Sequence, residues 1–356
     1  MGSFGKSWWS ANFDSATGDR GTLSLMTEFD FIQSILAPLA RGASGAAGLR
    51  DDVAELPQRA DARLIVSTDQ MSAGIHYLRS APLHKVAQKL LRRNISDIVA
   101  KGGQPFAYQL AIAWPRGSDL APLRDFAEGL ADDQQLYDIH LTGGDCAAIL
   151  GPAHFSVTMF GWVGARGPVR RAGVKPGDVI VVTGPIGDAG LGLQLAQGAR
   201  IAPAPIAEAL IARHETPAPP VTLGPLIARF ATGAIDISDG LIADLRQLAI
   251  ASTTSITMDL AQVPLSAQAR GVLGDEAGSL DALRWLASAG DDYQIALGIA
   301  PADLNDFTAA AAQLGYAITP IGGASAARSS EHLQLLFCGA PIASTGGGYQ
   351  HFSGQG

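Results

Sequence analysis

The sequence predicts an α/β (α+β) protein in two layered halves, on three observations. Compact apolar or β-branched runs alternate with helix-periodic segments along both halves of the chain. Its 356 residues exceed what one core holds, since single cores stop growing near about 250 to 300 residues. With 47% hydrophobic and 16% charged residues, there is ample material for a core and too little charge for a disordered chain.

The Gly/Ser-rich residues 1–25 carry neither period and lack the apolar stretch of a signal peptide, so they are expected to be a flexible leader or extension. The fold is expected to begin near Met26 with a short helix-like segment carrying Phe29, Phe31, Ile32, Ile35 and Leu36. RGASGAAGLRDD (41–52) reads as a mobile loop ending in Asp51 and Asp52. RLIVST (63–68) is a strand, and Val86, Leu90, Ile95 and Ile98 give a helix from Pro82 to the Gly102-Gly103 stop. FAYQLAIAW (106–114), a helix from about Asp119 to Leu136, and the strands IHLTGGD (139–145) and HFSVTMFGWVG (154–164) complete a first domain, 26–166.

The second domain, 167–356, opens with DVIVVTG (178–184), a buried strand, and a Gly/Ala/Leu-rich helix from Gly187. RHETPAPP (213–220) is a Pro-rich connection. It is followed by a helix around Leu226, the strand AIDIS (234–238) and a helix from Asp239 burying Leu241, Leu245 and Leu248. DYQIALGIA (292–300), a helix from Pro301, and strands near 316–321 and 332–337 close the domain.

The formal charge of −8, without a basic run, argues against nucleic acid or an anionic membrane as partner. A bound phosphate would need accompanying metal. Two cysteines, Cys146 and Cys338, make no disulfide framework and fit a reducing cytoplasm. No stretch of about 18 apolar residues is present to span a membrane.

The informative residues are aspartates at strand ends: Asp69 in STD, Asp145 in LTGGD, and Asp236 and Asp239 in IDISDG, joined by Asp52 and Asp97. Convergent carboxylates repel one another unless cations neutralise them, and such hard oxygen ligands suit Mg²⁺. Each one taken singly is equally a turn or cap residue, and Asp97 could be a solvated helix residue beside Arg92 and Arg93. Ser238 or Asp239 can cap the following helix, whose N-terminus can also face a phosphate. His76 has no zinc-type spacing, and no residue is assigned as a general base. The P-loop, protein-kinase, GxGxxG and GxSxG motifs are absent. The glycines of GPIGDAGLGLQ (184–194) are read as close helix packing.

Taken in order, LRDDVAEL, STDQMSAGIHY, NISDIVAKGG, LTGGD, RRAGVKPGD, RHETPAPP, AIDISDGLIADL, AGDDYQI and GYQHF resemble the thiamine-monophosphate kinases from about Asp30 to Phe352. These belong to the ATP-binding superfamily that also contains aminoimidazole ribonucleotide synthetase. The resemblance implies an N-terminal domain that pairs with its twin in a homodimer, a C-terminal α/β domain, and ATP with several Mg²⁺ between them. It implies in-line transfer of the γ-phosphoryl group to thiamine monophosphate, giving thiamine diphosphate and ADP. By the same carry-over, Asp52, Asp69, Asp97, Asp145 and Asp236 look like metal ligands, with Ser67, Thr68 and Asp239 adding oxygens. Gly144, Asp145, Arg171 and Ser238 match nucleotide-contacting positions, and His76, Asp291 and Tyr349 match positions that hold the acceptor. Arg50, Cys146 and Asp291 depart from the family's usual Gly, Thr and Glu, and Asp291 is one methylene shorter than the residue it replaces. Two alternatives remain: an aminoimidazole ribonucleotide synthetase-like ATP-dependent ligase, and a non-catalytic nucleotide-binding relative. The retained aspartates count against the second.

Overall fold

The computed structural model describes residues 27–327 and 332–343, so the leader 1–25 and Tyr349 lie outside the described residues. A short helix α1 (Glu28–Phe31) runs into a π turn at Ile32–Leu36 and 3₁₀ turns at Ala37–Ala40 and Ser44–Leu49. Phe31, Ile35, Leu36 and Leu39 are buried in the main core. The stretch read as a mobile loop thus takes defined turns: Glu55 donates its backbone N–H to the Gly45 carbonyl at 2.9 Å. A Cβ on Gly45 would lie 1.9 Å from the Glu55 carbonyl oxygen, so a residue without a side chain is what permits this approach.

The first sheet is built from β1 (Ala62–Ser72), β2 (Gln104–Pro115), β3 (His140–Ile149) and β4 (His154–Gly164), in the order β1-β4-β2-β3. The β2/β3 pair is parallel; β4 pairs antiparallel with β1 and β2. Helices α2 (Leu83–Ala100) and α3 (Pro122–Tyr137) pack together, and α2 lies against β1, β2 and β4. Alternation along β4 buries Phe155, Val157, Met159 and Val163, as a period of two requires. On the opposite face Leu64 stands across from Trp162 and Val66 across from Phe160, with Leu64 and Val66 45% and 61% exposed. Gly102, at φ +71°, ends α2, and Gly103 N–H bonds back to the Ile98 carbonyl at 3.0 Å.

The second half begins with β5 (Val179–Val182), α4 (Asp188–Ala196), α5 (Ala204–Glu215), α6 (Gly224–Phe230), β6 (Ala231–Asp236) and α7 (Leu241–Ser252). It continues through β7 (Thr254–Asp259), α8 (Ala267–Leu273), α9 (Leu280–Leu286), β8 (Ile295–Ile299), α10 (Leu304–Gln313), β9 (Thr319–Ala326), β10 (Leu333–Phe337) and β11 (Ala340–Ile342). Its seven strands run in the order β11-β10-β7-β9-β5-β8-β6. Helix α5 extends through Glu215 and takes up the start of the segment expected to be a connection, while β7, α8 and α9 were not anticipated. The glycines after β5 do serve packing: a Cβ on Gly187 would meet Leu286, and one on Gly190 would meet Ala289.

Helix α2 is the spine between the halves. One buried cluster joins its Leu90, Ile95 and Ile98 to Leu223, Ile227, Ala234, Ile295 and Leu297 of the second half. Polar ties reinforce it: Lys101 Nζ donates to the Ala234 carbonyl at 2.7 Å, and Arg92 to the carbonyls of Thr216 and Pro217.

Candidate functional site

A cleft of about 440 Å³ opens beside α2 and is lined by Asp69, His76, Asp97, Arg171, Asp236, Ser238, Asp239 and Asp291. Asp69 enters near the end of β1, Asp97 from the last turns of α2, and Asp236 from the end of β6. Ser67, two residues before Asp69 on the same face of β1, donates its hydroxyl to Asp97 Oδ2. Asp69 N–H is held by Asn94 Oδ1 at 3.1 Å, which fixes the strand against α2.

Not every expected residue meets there. Thr68 points to the opposite face of β1, where its hydroxyl is 3.0 Å from that of Thr158. Thr158 lines a second cleft of about 420 Å³ together with Asp51, Asp52, Gly144, Asp145 and Cys146. The predicted set is thus divided by the sheet: Asp52, Gly144 and Asp145 on one side, the remaining carboxylates on the other. Gly144 has a backbone reason of its own, since a Cβ there would lie 1.8 Å from the Leu110 carbonyl oxygen.

Charge in the first cleft is concentrated. Burial, then the neighbouring Asp236, push the Asp97 carboxyl up to about 7, against the Ser67 hydrogen bond. Asp236 is also raised, chiefly by burial, although Lys101 is close and Ser96 Oγ donates to it at 3.0 Å. Burial in turn pulls the Lys101 amine down to about 8. Partly buried carboxylates near one another, with their ionisation opposed, are groups that a cation would stabilise.

The loop after β6 is held differently from the expectation. Helix α7 starts at Leu241, after Gly240 at φ +110°, and neither Ser238 nor Asp239 caps it. Instead Asp244, inside the first turn, reaches back and accepts from the backbone N–H groups of Ser238 and Asp239 at 3.0 and 3.1 Å. Burial, then Asp236 and Asp239, raise its carboxyl to about 8. The sequence reading missed Asp244; its signal was an acid three residues into a helix that follows an SDG turn.

Asp291 is held from three sides. Lys89 Nζ donates to Oδ2 at 2.8 Å, Tyr293 donates its hydroxyl to Oδ1 at 3.0 Å, and His214 Nδ1 lies 3.7 Å from Oδ2. Desolvation alone would raise this carboxyl, but Lys89, then Arg93 and His214, hold it well below the usual carboxylate range. Asp291 and Tyr293 both take positive φ, and their N–H groups bond to the carbonyls of Ser238 and Ile237 at 2.9 Å. Between them Asp292 turns the other way and accepts from the Gly187 and Ala189 N–H groups at the start of α4. His76 is placed by its Nδ1, which accepts from Ser72 N–H at 3.0 Å. Lys89, Arg93 and His214 were also missed, although Lys89, Arg93 and Asp97 stand at i, i+4 and i+8, a charged stripe along a buried helix.

The chain matches the family described as AIR synthase related protein, N-terminal domain, over residues 50–163, and its C-terminal domain over residues 175–332. It is 43% identical to a thiamine-monophosphate kinase of Caulobacter vibrioides over 296 residues, covering 83% of each chain. Among solved structures it resembles a thiamine-monophosphate kinase from Stenotrophomonas maltophilia, with 31% identity, a TM-score of 0.76, and 89% and 98% of the two chains covered. A structure described as AaThiL complexed with AMPPCP and TMP is 26% identical, with a TM-score of 0.72 over 94% of this chain and 100% of that one. With both domains matched and this identity over most of its length, the chain belongs to the thiamine-monophosphate kinase family of the AIR synthase related proteins.

Proposed function

We propose that the protein transfers the γ-phosphoryl group of ATP in line to thiamine monophosphate, giving thiamine diphosphate and ADP. The observation that carries this reading is the single cleft in which Asp69, Asp97 and Asp236 stand beside Asp291, His76, Arg171 and Ser238. The relative solved with AMPPCP and TMP supports the same pair of substrates.

Mg²⁺ is the cation we assign to the carboxylates. Asp69, Asp97 and Asp236, with Ser67 and Asp239, would hold ions in this cleft, and Asp52, Asp145 and Thr68 would hold separate ions in the second cleft. Bound there, it would cancel the repulsion between two phosphate chains brought together. The remaining work is the protein's own. Arg171 and Ser238 orient the nucleotide from this cleft, while Gly144, the other expected nucleotide contact, stands in the second cleft. His76, Asp291 and Tyr349 hold the acceptor, with Asp291 kept ionised by Lys89. No side chain need act as general base, because a phosphate monoester with a second pKa of about 6 is already ionised near neutral pH.

We take residues 26–166 as the domain that pairs with its twin and residues 167–356 as the second α/β domain. The face carrying Leu64, Val66, Phe160 and Trp162, where Phe106 stacks on Trp162 with ring centroids 5.0 Å apart, supports a homodimer. We place the protein in the cytoplasm, without nucleic-acid or membrane partners. No helix among the described residues is long and apolar enough to cross a membrane.

The test is purified protein with Mg·ATP and a panel of phosphorylated acceptors, analysed for products. Thiamine diphosphate formed from thiamine monophosphate is the expected result. ATP consumption only with a ribonucleotide amidine would favour the ligase alternative instead.

A further inference from the structure

We propose that Arg93 binds the phosphate group of the acceptor, an inference that rests on the kinase reading above. Arg93 lines the same cleft from α2, and its side chain is 12% exposed. Its Nη2 lies 3.4 Å from Asp69 Oδ1, its Nε is buried without a hydrogen-bond partner, and its guanidinium carbon sits 5.8 Å from the centre of the Tyr293 ring. A guanidinium carries five N–H donors in a planar fork matched to phosphate oxygens, and a buried donor left unmet is costly. Among the described residues the fork has one long contact, to Asp69.

The neighbouring cations differ. Arg92 is spent on structure, with two 2.8 Å bonds to the Asp133 carboxylate and two more to the carbonyls of Thr216 and Pro217. Lys89 is committed to Asp291 and Lys101 to the Ala234 carbonyl. Arg93 retains donors and stands between two parts of the proposed site: Asp69 of the metal set on one side, Tyr293 and Asp291 of the acceptor pocket on the other. The group of the acceptor that spans this interval, from its rings to the metals, is its phosphate. The guanidinium would share that anion with the metal and align it for attack, while Asp69 gives up its partial hold on Arg93 to a cation.

The experiment compares the full-length wild type with Arg93→Gln and Arg93→Lys, in the presence of Mg²⁺. Affinity for thiamine monophosphate is measured by calorimetry, affinity for unphosphorylated thiamine by competition, and KM for each substrate by product analysis. Loss of charge-assisted bonds to the phosphate predicts thiamine monophosphate binding weakened on the order of 10- to 100-fold in Arg93→Gln. Thiamine and Mg·AMPPCP affinities should stay within about twofold, and Arg93→Lys should recover part of the loss. Equal weakening of thiamine and thiamine monophosphate would overturn the proposal and leave Arg93 a packing residue. So would weakening confined to Mg·AMPPCP, or no weakening in either variant. A wild type that neither binds nor converts thiamine monophosphate would instead sink the kinase reading itself.

Discussion

Lys89 on α2 and Asp291 on the loop before β8, 202 positions apart in the chain, meet in a 2.8 Å hydrogen-bonded ion pair. The Lys89 side chain is only 3% exposed. This contact joins the two halves at the cleft and keeps the Asp291 carboxyl charged. The backbone brings it to the lysine through the positive φ values at Gly290, Asp291 and Tyr293.

Removing one partner of this pair should therefore damage stability as well as substrate binding. Asp291→Asn leaves a buried ammonium without its counter-charge; because Asp291 itself is partly exposed, the cost should be about 2 to 3 kcal/mol, at or below the low end for a fully buried pair. The double variant Lys89→Met, Asp291→Asn should be less destabilised than Asp291→Asn alone. Urea unfolding of the wild type, the two single variants and the double variant measures this as a coupling energy; strict additivity would contradict it.

Asp244 should matter through the backbone it holds. Asp244→Ala leaves the Ser238 and Asp239 N–H groups without their acceptor and frees the turn that carries Asp239 into the cleft. We expect a stability loss of about 1 to 3 kcal/mol and a fall in kcat of roughly tenfold. Asp244→Asn retains an acceptor oxygen and should recover most of the stability. Thermal unfolding and steady-state kinetics on the same samples would separate the two effects.

His214 gives the fold an acid sensitivity with a definite sign. Burial first, then Lys89, lower its pKa from the ordinary 6.5 to about 4, with Asp291 opposing. The folded protein thus keeps it neutral where the unfolded chain binds a proton. Its contribution is complete above pH 6.5 and is lost as pH falls toward 4, by up to roughly 3 kcal/mol. His214→Leu should lose less stability than the wild type across that window. Parallel pH dependence of the two proteins in denaturant melts would show that another group is responsible.

Self-association can be tested at Val66, which is 61% exposed opposite Phe160 on the uncovered face of the first sheet. Val66→Glu puts a charge where a second copy would have to bury it, so light scattering should report a monomer in place of a dimer at micromolar concentration. A wild type that is itself monomeric would remove the proposal.

The sequence made much of this architecture legible where local pattern and burial agree. HFSVTMFGWVG alternates, and β4 buries alternate residues; the helix begun at Pro82 ends at Gly102-Gly103. It was silent where a turn is made without Gly or Pro, as where β7 follows α7 directly through Thr253 at φ +53°, and where helices are short, as in α8 and α9, whose seven residues are too few to display a period. In the site, acids at strand ends announced Asp69 and Asp236. Which side of the first sheet each acid reaches depends on β1 and on the paths of its neighbours, and so the separation of Asp52 and Asp145 from Asp97 was not readable. The tie between Lys89 and Asp291 has no local signature at all, because its two members belong to different halves of the chain.

Asp97 supplies a final test, since it is both a proposed ligand and a source of repulsion. It is half-buried beside the buried Asp236, with Asp69 also near, so without a cation the three carboxylates oppose one another. Asp97→Asn keeps an oxygen for the Ser67 hydroxyl and removes one charge. In EDTA this variant should be at least as stable as the wild type, while added Mg²⁺ should raise the wild-type Tm more than the variant's. Turnover should fall on the order of 10² or more with folding intact, as for loss of a metal contact. Equal Mg²⁺-induced shifts in the two proteins, together with near-normal turnover, would show that Asp97 serves the packing of α2 against β1 and holds no metal.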